Sequence, residues 1–398
     1  MAEVTVTGVG ATKVTIPFTS ASQAALAKSL AATINSEVAA GTLVPVNAAG
    51  PIAPDSVISS ELVVQQGGAL VLNPLDLAVV VAAAGSVNML GDGIANQSVI
   101  AGSGSLTYIT NGGSGTVVAA GGANLIVTSA VGNAGWEVST GSGNDTLSSQ
   151  SGNDTLAAGL GHNAIILGTG QNLIDVTGHD TVLAGSGAET VAVETGGHAV
   201  VFGGASQLLF LGGNLADTVS GGTGTDTIFG GRGGGEYIGG NAGGNLIYAS
   251  GTISGGGNGD QLYAMGSLAT QIHAASGNET LSTALSSGAD TVFAGFGSDK
   301  ITLGTGPNTL VAGHGNATVF GGIGADLYEF VKGSAGGNET IHGFDFGGTV
   351  KLIGYDKHEV ADALAHAHVT AAGTSITLSD NTQITFANVN DLSKTHFT

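Results

Sequence analysis

One stretch limits the fold more than any other. Between Gly141 and Phe229 the chain repeats a Gly-rich turn, a closing residue and a short apolar run: GSGNDTLSS, then QSGNDTLAA, and later GGTGTDTIF. The closing residues follow one another at steps of mostly nine: Asp145, Asp154, Asn163, Asn172, Asp180, Glu189, Ala199, Gln207, Asp217, Asp226. Two residues after each stands an aliphatic: Leu147, Leu156, Ile165, Ile174, Val182, Val191, Val201, Leu209, Val219, Ile228. A unit this short cannot bury its apolar side chain alone, so about three or more units must stack before the array is stable. Glycine takes positive φ in the turns without steric cost, and the aliphatics suit short buried strands. The pattern predicts an all-β chain, a parallel β-solenoid with its coils about 4.8 Å apart and one aliphatic spine.

The same residues resemble a known family. GGTGTDTIF, Gly221 to Phe229, matches the GGxGxDxUx nonapeptide of RTX proteins, the hemolysin-type calcium-binding repeats. GSGNDTL at Gly141 and SGNDTL at Ser151 are similar, with one or both leading glycines missing. Looser copies (SSGADTVF, GFGSDKITL, GTGPNTLVA, GHGNATVFG, GGIGADLYEF) extend the resemblance to about Phe346. It implies a parallel β-roll with two units per coil and calcium between turns two units apart. On that pairing Asp217 lies over Glu236 and Glu279 over Asp299, acid on acid. Asp145 lies over Asn163, Asp154 over Asn172, Asp226 over Asn245, Asp290 over Asn308, and Asp326 also meets Asn308; these are half-sites. The candidate calcium ligands are therefore Asp145, Asp154, Asp217, Asp226, Glu236, Glu279, Asp290, Asp299 and Asp326, whose carboxylates suit a hard cation. A second reading stays open: turn Asp, Asn and Thr satisfy backbone groups and form ladders along the stack.

Composition narrows the classes. Among 398 residues there are 71 Gly and 6 Pro, without a three-residue period, which excludes collagen and Pro-rich disorder. Hydrophobic residues at 42% and charged residues at 9% argue against a solvated, disordered chain. The net charge is −21 with only 8 Lys+Arg. Phosphate backbones and anionic membranes are held by Lys and Arg, so neither nucleic acid nor a membrane surface is an expected partner. The most apolar run, Leu77 to Ala84, is too short to span a bilayer. Cysteine is absent, which removes disulfides and thiol chemistry. MAEVTVTGVG shows neither the basic region nor the apolar core of an amino-terminal signal peptide.

In chain order, residues 1–60 read as a small αβ unit, with strands in Ala2 to Pro17 and a helix over Ser22 to Ala39 capped by Ser20, its apolar positions Ala25, Leu26, Leu30 and Ile34. Thr42 to Ser56, with Pro45, Pro51 and Pro54, reads as a connector. Residues 61–140 read as Gly-rich solenoid without the turn Asp, and Trp136 as a packing residue. Residues 141–346 are the RTX-like coils. The step from Asn245 to Asp260 reads as a loop excursion through GTISGGGNG. Residues 347–398 form a cap: a helix from Asp356 to Val369, then a hairpin from Ser375 to Phe386 turning at Ser379-Asp380-Asn381. With NETIHGFDF before it, this tail resembles the C-terminal region of proteins exported by type I secretion, which implies an extracellular or cell-surface location and that machinery as a partner.

No GxSxG elbow, HExxH helix or P-loop lysine motif is present, and no enzyme activity is expected. His162, His179 and His198 precede closing positions one coil apart and should line up on one edge, where they are either exposed turn residues or a metal or pH site. The function expected is a secreted structural protein that associates with copies of itself, head to tail or laterally, into a fibre, surface layer or biofilm matrix, aided by calcium. The alternatives are a calcium-binding adhesin or carbohydrate-binding module for cell-surface polysaccharide, and a secreted enzyme on a solenoid scaffold.

Overall fold

The computed structural model describes residues 1–48, 51, 57–93, 96–110, 112–130, 134–344 and 347–398. It divides into two compact units, Met1–Ser206 and Gln207–Thr398. Each is a parallel β-solenoid, in which every coil gives one strand to each of two sheets. In the first unit the inward column of sheet I runs Val79, Val99, Val117, Val138, Leu156, Ile174, Val191 in unbroken register. Sheet II matches it with Leu70, Met89, Tyr108, Ile126, Leu147, Ile165, Val182, Val201. The second unit repeats the plan, with Ile228, Ile247, Leu262, Leu281, Ile301, Val319 and Ile341 facing Val219, Tyr237, Ile253, Ile272, Val292, Leu310 and Tyr328. All these side chains are buried. The aliphatic spine predicted from the nine-residue steps is the core of both units.

The N-terminal segment is an antiparallel hairpin, β1 (Ala2–Thr7) and β2 (Lys13–Phe18), followed by helix α1 (Ala21–Ala40) and strand β3 (Val44–Asn47). Ser20 caps α1 by accepting from the Gln23 backbone N–H, and Gly41 ends it at φ 73°. The fully buried face is Ala24, Ala27, Ala31 and Ile34; of the expected stripe Ile34 is buried, Leu26 and Leu30 are half-buried against the same core, and Ala25 is exposed. Small side chains let the helix lie close on the outer face of sheet I, against Val63, Ala78, Val80, Ile100, Val118 and Ala120. That explains the unbroken apolar runs LVV, LAVVV and TVVAA: these strands are buried on both faces and need not alternate. β3 falls inside the expected connector and is the first strand of sheet I, paired in parallel with Ser60–Val64. Pro54 and Ser56 lie outside the described residues.

Three steps of the sequence alignment slip by one residue. Leu208 occupies the closing position expected at Gln207, so Phe210 rather than Leu209 points inward; continued past Asp226, the nine-residue series reads Glu236 and Gln271 where the coils close at Gly235 and Thr270. The step from Asn245 to Asp260 is a complete, shortened coil rather than a half-coil with a loop, because GTIS (Gly251–Ser254) is itself a sheet II strand. At Tyr237 a tyrosine takes an aliphatic's place in the core. Gly230 makes room for it: a Cβ there would sit 2.3 Å from the ring.

The second unit ends in Asn338–His342, which pairs in parallel with Gln383–Ala387, itself antiparallel to Gly373–Thr377. Asn381, at φ 68°, sits in the expected hairpin turn. Helix α2 is shorter than predicted, Glu359–Ala365, because His368–Thr370 forms a strand against the hairpin. The Asp345-Phe346 part of GFDF lies outside the described residues. No helix among those described is long and apolar enough to cross a membrane.

Candidate metal centre

The closing residue of each turn points inward, on the same side as the aliphatic two positions on. Asp145, Asp154, Asp217, Asp226, Glu279, Asp290, Asp299 and Asp326 are all buried. Such burial is stable only if their oxygens meet donors or cations. Part of the answer is a ladder along the stack. Asp145 Oδ1 accepts the Asn124 N–H at 2.7 Å, and the Asp145 N–H donates to Asn163 Oδ1 at 2.8 Å. The same link joins Leu208 to Asp226, Asp226 to Asn245, and Asn245 to Asp260. It recurs from Thr270 through Asp290 and Asn308 to Asp326, and from Glu279 to Asp299. Asn side chains also donate an Nδ2–H hydrogen bond to the next carboxylate: Asn163 to Asp180 at 2.7 Å and Asn308 to Asp326 at 3.1 Å.

The second carboxylate oxygen separates the turns into two kinds. Asp154 takes the Ser149 hydroxyl, Asp260 the N–H groups of Gly256 and Gly257, and Asp326 the N–H of Gly322. Those carboxylates are satisfied by the protein. Asp180 Oδ2 and Asp226 Oδ2 are buried with no donor, and so are both oxygens of Glu279. Burial pushes Asp180 and Asp226 up to about 7. Burial and the neighbouring Asp299 raise Glu279, and burial raises Asp145, Asp290, Asp299 and Asp326. A buried carboxylate oxygen without a donor needs a proton or a cation. Asp226 Oδ2 points back over its own turn, 2.0 Å from where a Cβ on Gly221 would sit, so the leading glycine of GGTGTD leaves the space.

These residues fit calcium, which accepts six to eight oxygens with flexible geometry. Asp226 and Asp180 would supply one carboxylate each and Glu279 with Asp299 two. Among the described residues no three His, Asp or Glu side chains gather to hold a metal by themselves, so main-chain carbonyls of the Gly turns would complete each shell.

Comparison with known families agrees with this geometry. The family model of the RTX calcium-binding nonapeptide repeat matches four times, at residues 139–174, 211–247, 285–310 and 293–328. These stretches are RTX-type calcium-binding repeats. The family binds calcium, and the second match includes Gly221 to Asp226. No curated protein and no solved structure matched the chain.

Of the expected acid pairs, Glu279 over Asp299 is present. Asp217 over Glu236 is not: Glu236 pairs with Thr218 and lies exposed on the outer face. Among the buried acids outside the expected ligands, Asp180, Glu189, Asp260 and Glu339 lie in the inward columns of the coils. Asp180, Glu189 and Asp260 occupy closing positions of the same series as the expected ligands. Glu339 sits in NETIHGF, beyond the last clear turn, and burial and Asp299 push it up to about 8. His162, His179 and His198 are in register as foreseen, with ring centroids 5.1 and 5.5 Å apart.

Proposed function

We propose that this RTX-like chain is a secreted structural protein that folds on calcium and then associates with copies of itself into an extracellular fibre, surface layer or matrix. The observation that carries the calcium half is the set of buried carboxylate oxygens with no donor, at Asp180, Asp226 and Glu279. They make the coils costly to form where calcium is scarce and stable where it is plentiful, which matches folding after export. The tail at 347–398 is proposed as the segment read by type I secretion machinery. The coils themselves support the association half. They run from Ser60 to His342, so the repeat is the bulk of the molecule rather than an appendage to another domain.

One feature favours a carbohydrate-binding module instead, the outward aromatic column Phe229, Tyr248, Tyr263. Its rings stack on one another, Tyr248 and Tyr263 at 4.4 Å and 7°. Sugar rings stack on free aromatic faces, and here the faces are already used, so association is the preferred reading. Calcium titration of purified protein, followed by circular dichroism and negative-stain microscopy, tests it. The expected result is loosened protein in chelator, and β structure with ordered assemblies in millimolar calcium. A uniformly monomeric population at high concentration, with and without calcium, would overturn it.

A further inference from the structure

In the first unit the outer face of sheet II carries a column of large apolar side chains in exact strand register. Val71, Leu90, Ile109, Ile166, Leu183 and Phe202 are each 39–51% exposed. Val127 and Ser148 are the two rungs between Ile109 and Ile166. Eight strands at the usual spacing make a stripe about 34 Å long. The parallel column two residues earlier runs Ala69, Asn88, Thr107, Leu125, Thr146, Ala164, Thr181, Val200, so neither column holds a charged residue.

The same coils show what such a face requires. On sheet I the outward apolar residues are covered by α1 and the β1–β2 hairpin. On sheet II no described element covers them, and the exposures record this.

We infer that this face is the lateral contact between two copies of the chain. The inference rests on the association proposed above and names its surface. Six side chains of roughly 200 Å² each, a little under half exposed, offer on the order of 500 Å² per copy. Two such faces bury about 1,000 Å², the area at which specific interfaces begin. Charge selects the occupant. Copies carrying −21 each repel one another, and a face without charge is where two of them approach at least cost. Period selects it too: rungs spaced by the β-ladder find matching rungs on a second copy turned end for end, packed face to face about 10 Å apart. The result is a self-complementary twofold contact. His162, His179 and His198, four residues before Ile166, Leu183 and Phe202, line one rim.

The test uses the full chain in calcium, with Leu90→Lys and Leu183→Lys singly and together, and Leu285→Lys, 60% exposed in the second unit, as control. Sedimentation velocity across concentration reads association, and thermal melts confirm that all variants fold. Each stripe variant should weaken dimer formation at least tenfold and the double variant should be monomeric, with the control like wild type. If wild type associates and the stripe variants associate equally well, or the control weakens as much as they do, this surface is wrong while the association reading stands. If wild type is monomeric in calcium at every concentration, both fall. Wild-type monomers that bind neutral lipid vesicles through the stripe would also overturn the inference, by naming a lipid surface as the occupant.

Discussion

At the scale of single residues, one oxygen decides what a turn does. Asp226 and Asn245 stand in the same column one coil apart, and both accept or extend the same backbone ladder. Asn245 fills its turn with an amide that donates to Asp260 at 3.0 Å. Asp226 leaves Oδ2 without a donor. Asp226→Asn therefore keeps the bond from Leu208 and removes the charge. Calcium bound at that turn should weaken at least tenfold by calorimetry, while the melting temperature in chelator at pH 8 should rise. A fall in chelator would mean that the carboxylate is satisfied by the protein alone. Gly230 poses a packing question instead. Gly230→Ala drives a methyl into the Tyr237 ring and should cost about 1–3 kcal/mol in denaturant melts, as overpacking does. Tyr237→Val, which restores the size of the neighbouring Val219 and Ile253, should recover most of it. The GGTGTD turn was legible because its glycines and its acid sit at fixed offsets. The tyrosine was not, because a nine-residue count does not register which residue can lean into a neighbouring turn.

At the scale of strands and turns, the carboxylate ladder links stability to pH. Asp180 and Asp226 titrate near 7 in the folded chain and near 4 when unfolded. Between those values the folded state holds more protons than the unfolded one, so stability falls as pH rises, by about 1.4 kcal/mol per unit for each such group. In chelator the melting temperature should be higher at pH 5 than at pH 8. Calcium binds the ionised form, so its stabilising effect should grow across the same window. Melts at four pH values with and without calcium check both trends, and a chelated melting temperature that climbs with pH would contradict the burial of these acids. Helix α1 makes a separate claim. Ala27→Glu places a charge in the apolar cluster between the helix and sheet I and should detach the helix, exposing the sheet I face to a hydrophobic dye without unfolding the coils. Strand order, coil period and the inward aliphatics could be read from spacing, because a solenoid repeats its contacts as faithfully as its sequence. The slips at Leu208, Gly235 and Thr270 could not, since none of the three is an acid or amide that marks a turn, and a polar neighbour (Gln207, Glu236, Gln271) stands one residue away. The lateral placement of α1 was hidden for a different reason: runs such as LAVVV reveal burial on two faces without saying what covers the second.

At the scale of the whole chain, 29 Asp+Glu stand against 8 Lys+Arg. Two effects of added ions must then be kept apart. Any salt screens exposed carboxylates, with a Debye length of about 8–10 Å near physiological strength, and so eases the approach of copies. Only a cation that enters the turns can meet the buried oxygens of Asp180, Asp226 and Glu279. Magnesium is a poor substitute, because it demands near-octahedral geometry and gives up its waters reluctantly, whereas calcium accepts irregular sets of carboxylates and carbonyls. At equal ionic strength, calcium should raise the melting temperature and magnesium and sodium should not. A single site filled at about a hundredfold excess over its dissociation constant contributes about 2.7 kcal/mol, or roughly 5–10 °C for a unit of this size. Association should respond to both kinds of ion, folding to calcium alone. Equal stabilisation by magnesium or sodium would show that the acidic turns act as a diffuse charge cloud, and the buried oxygens would have to be held by protons instead.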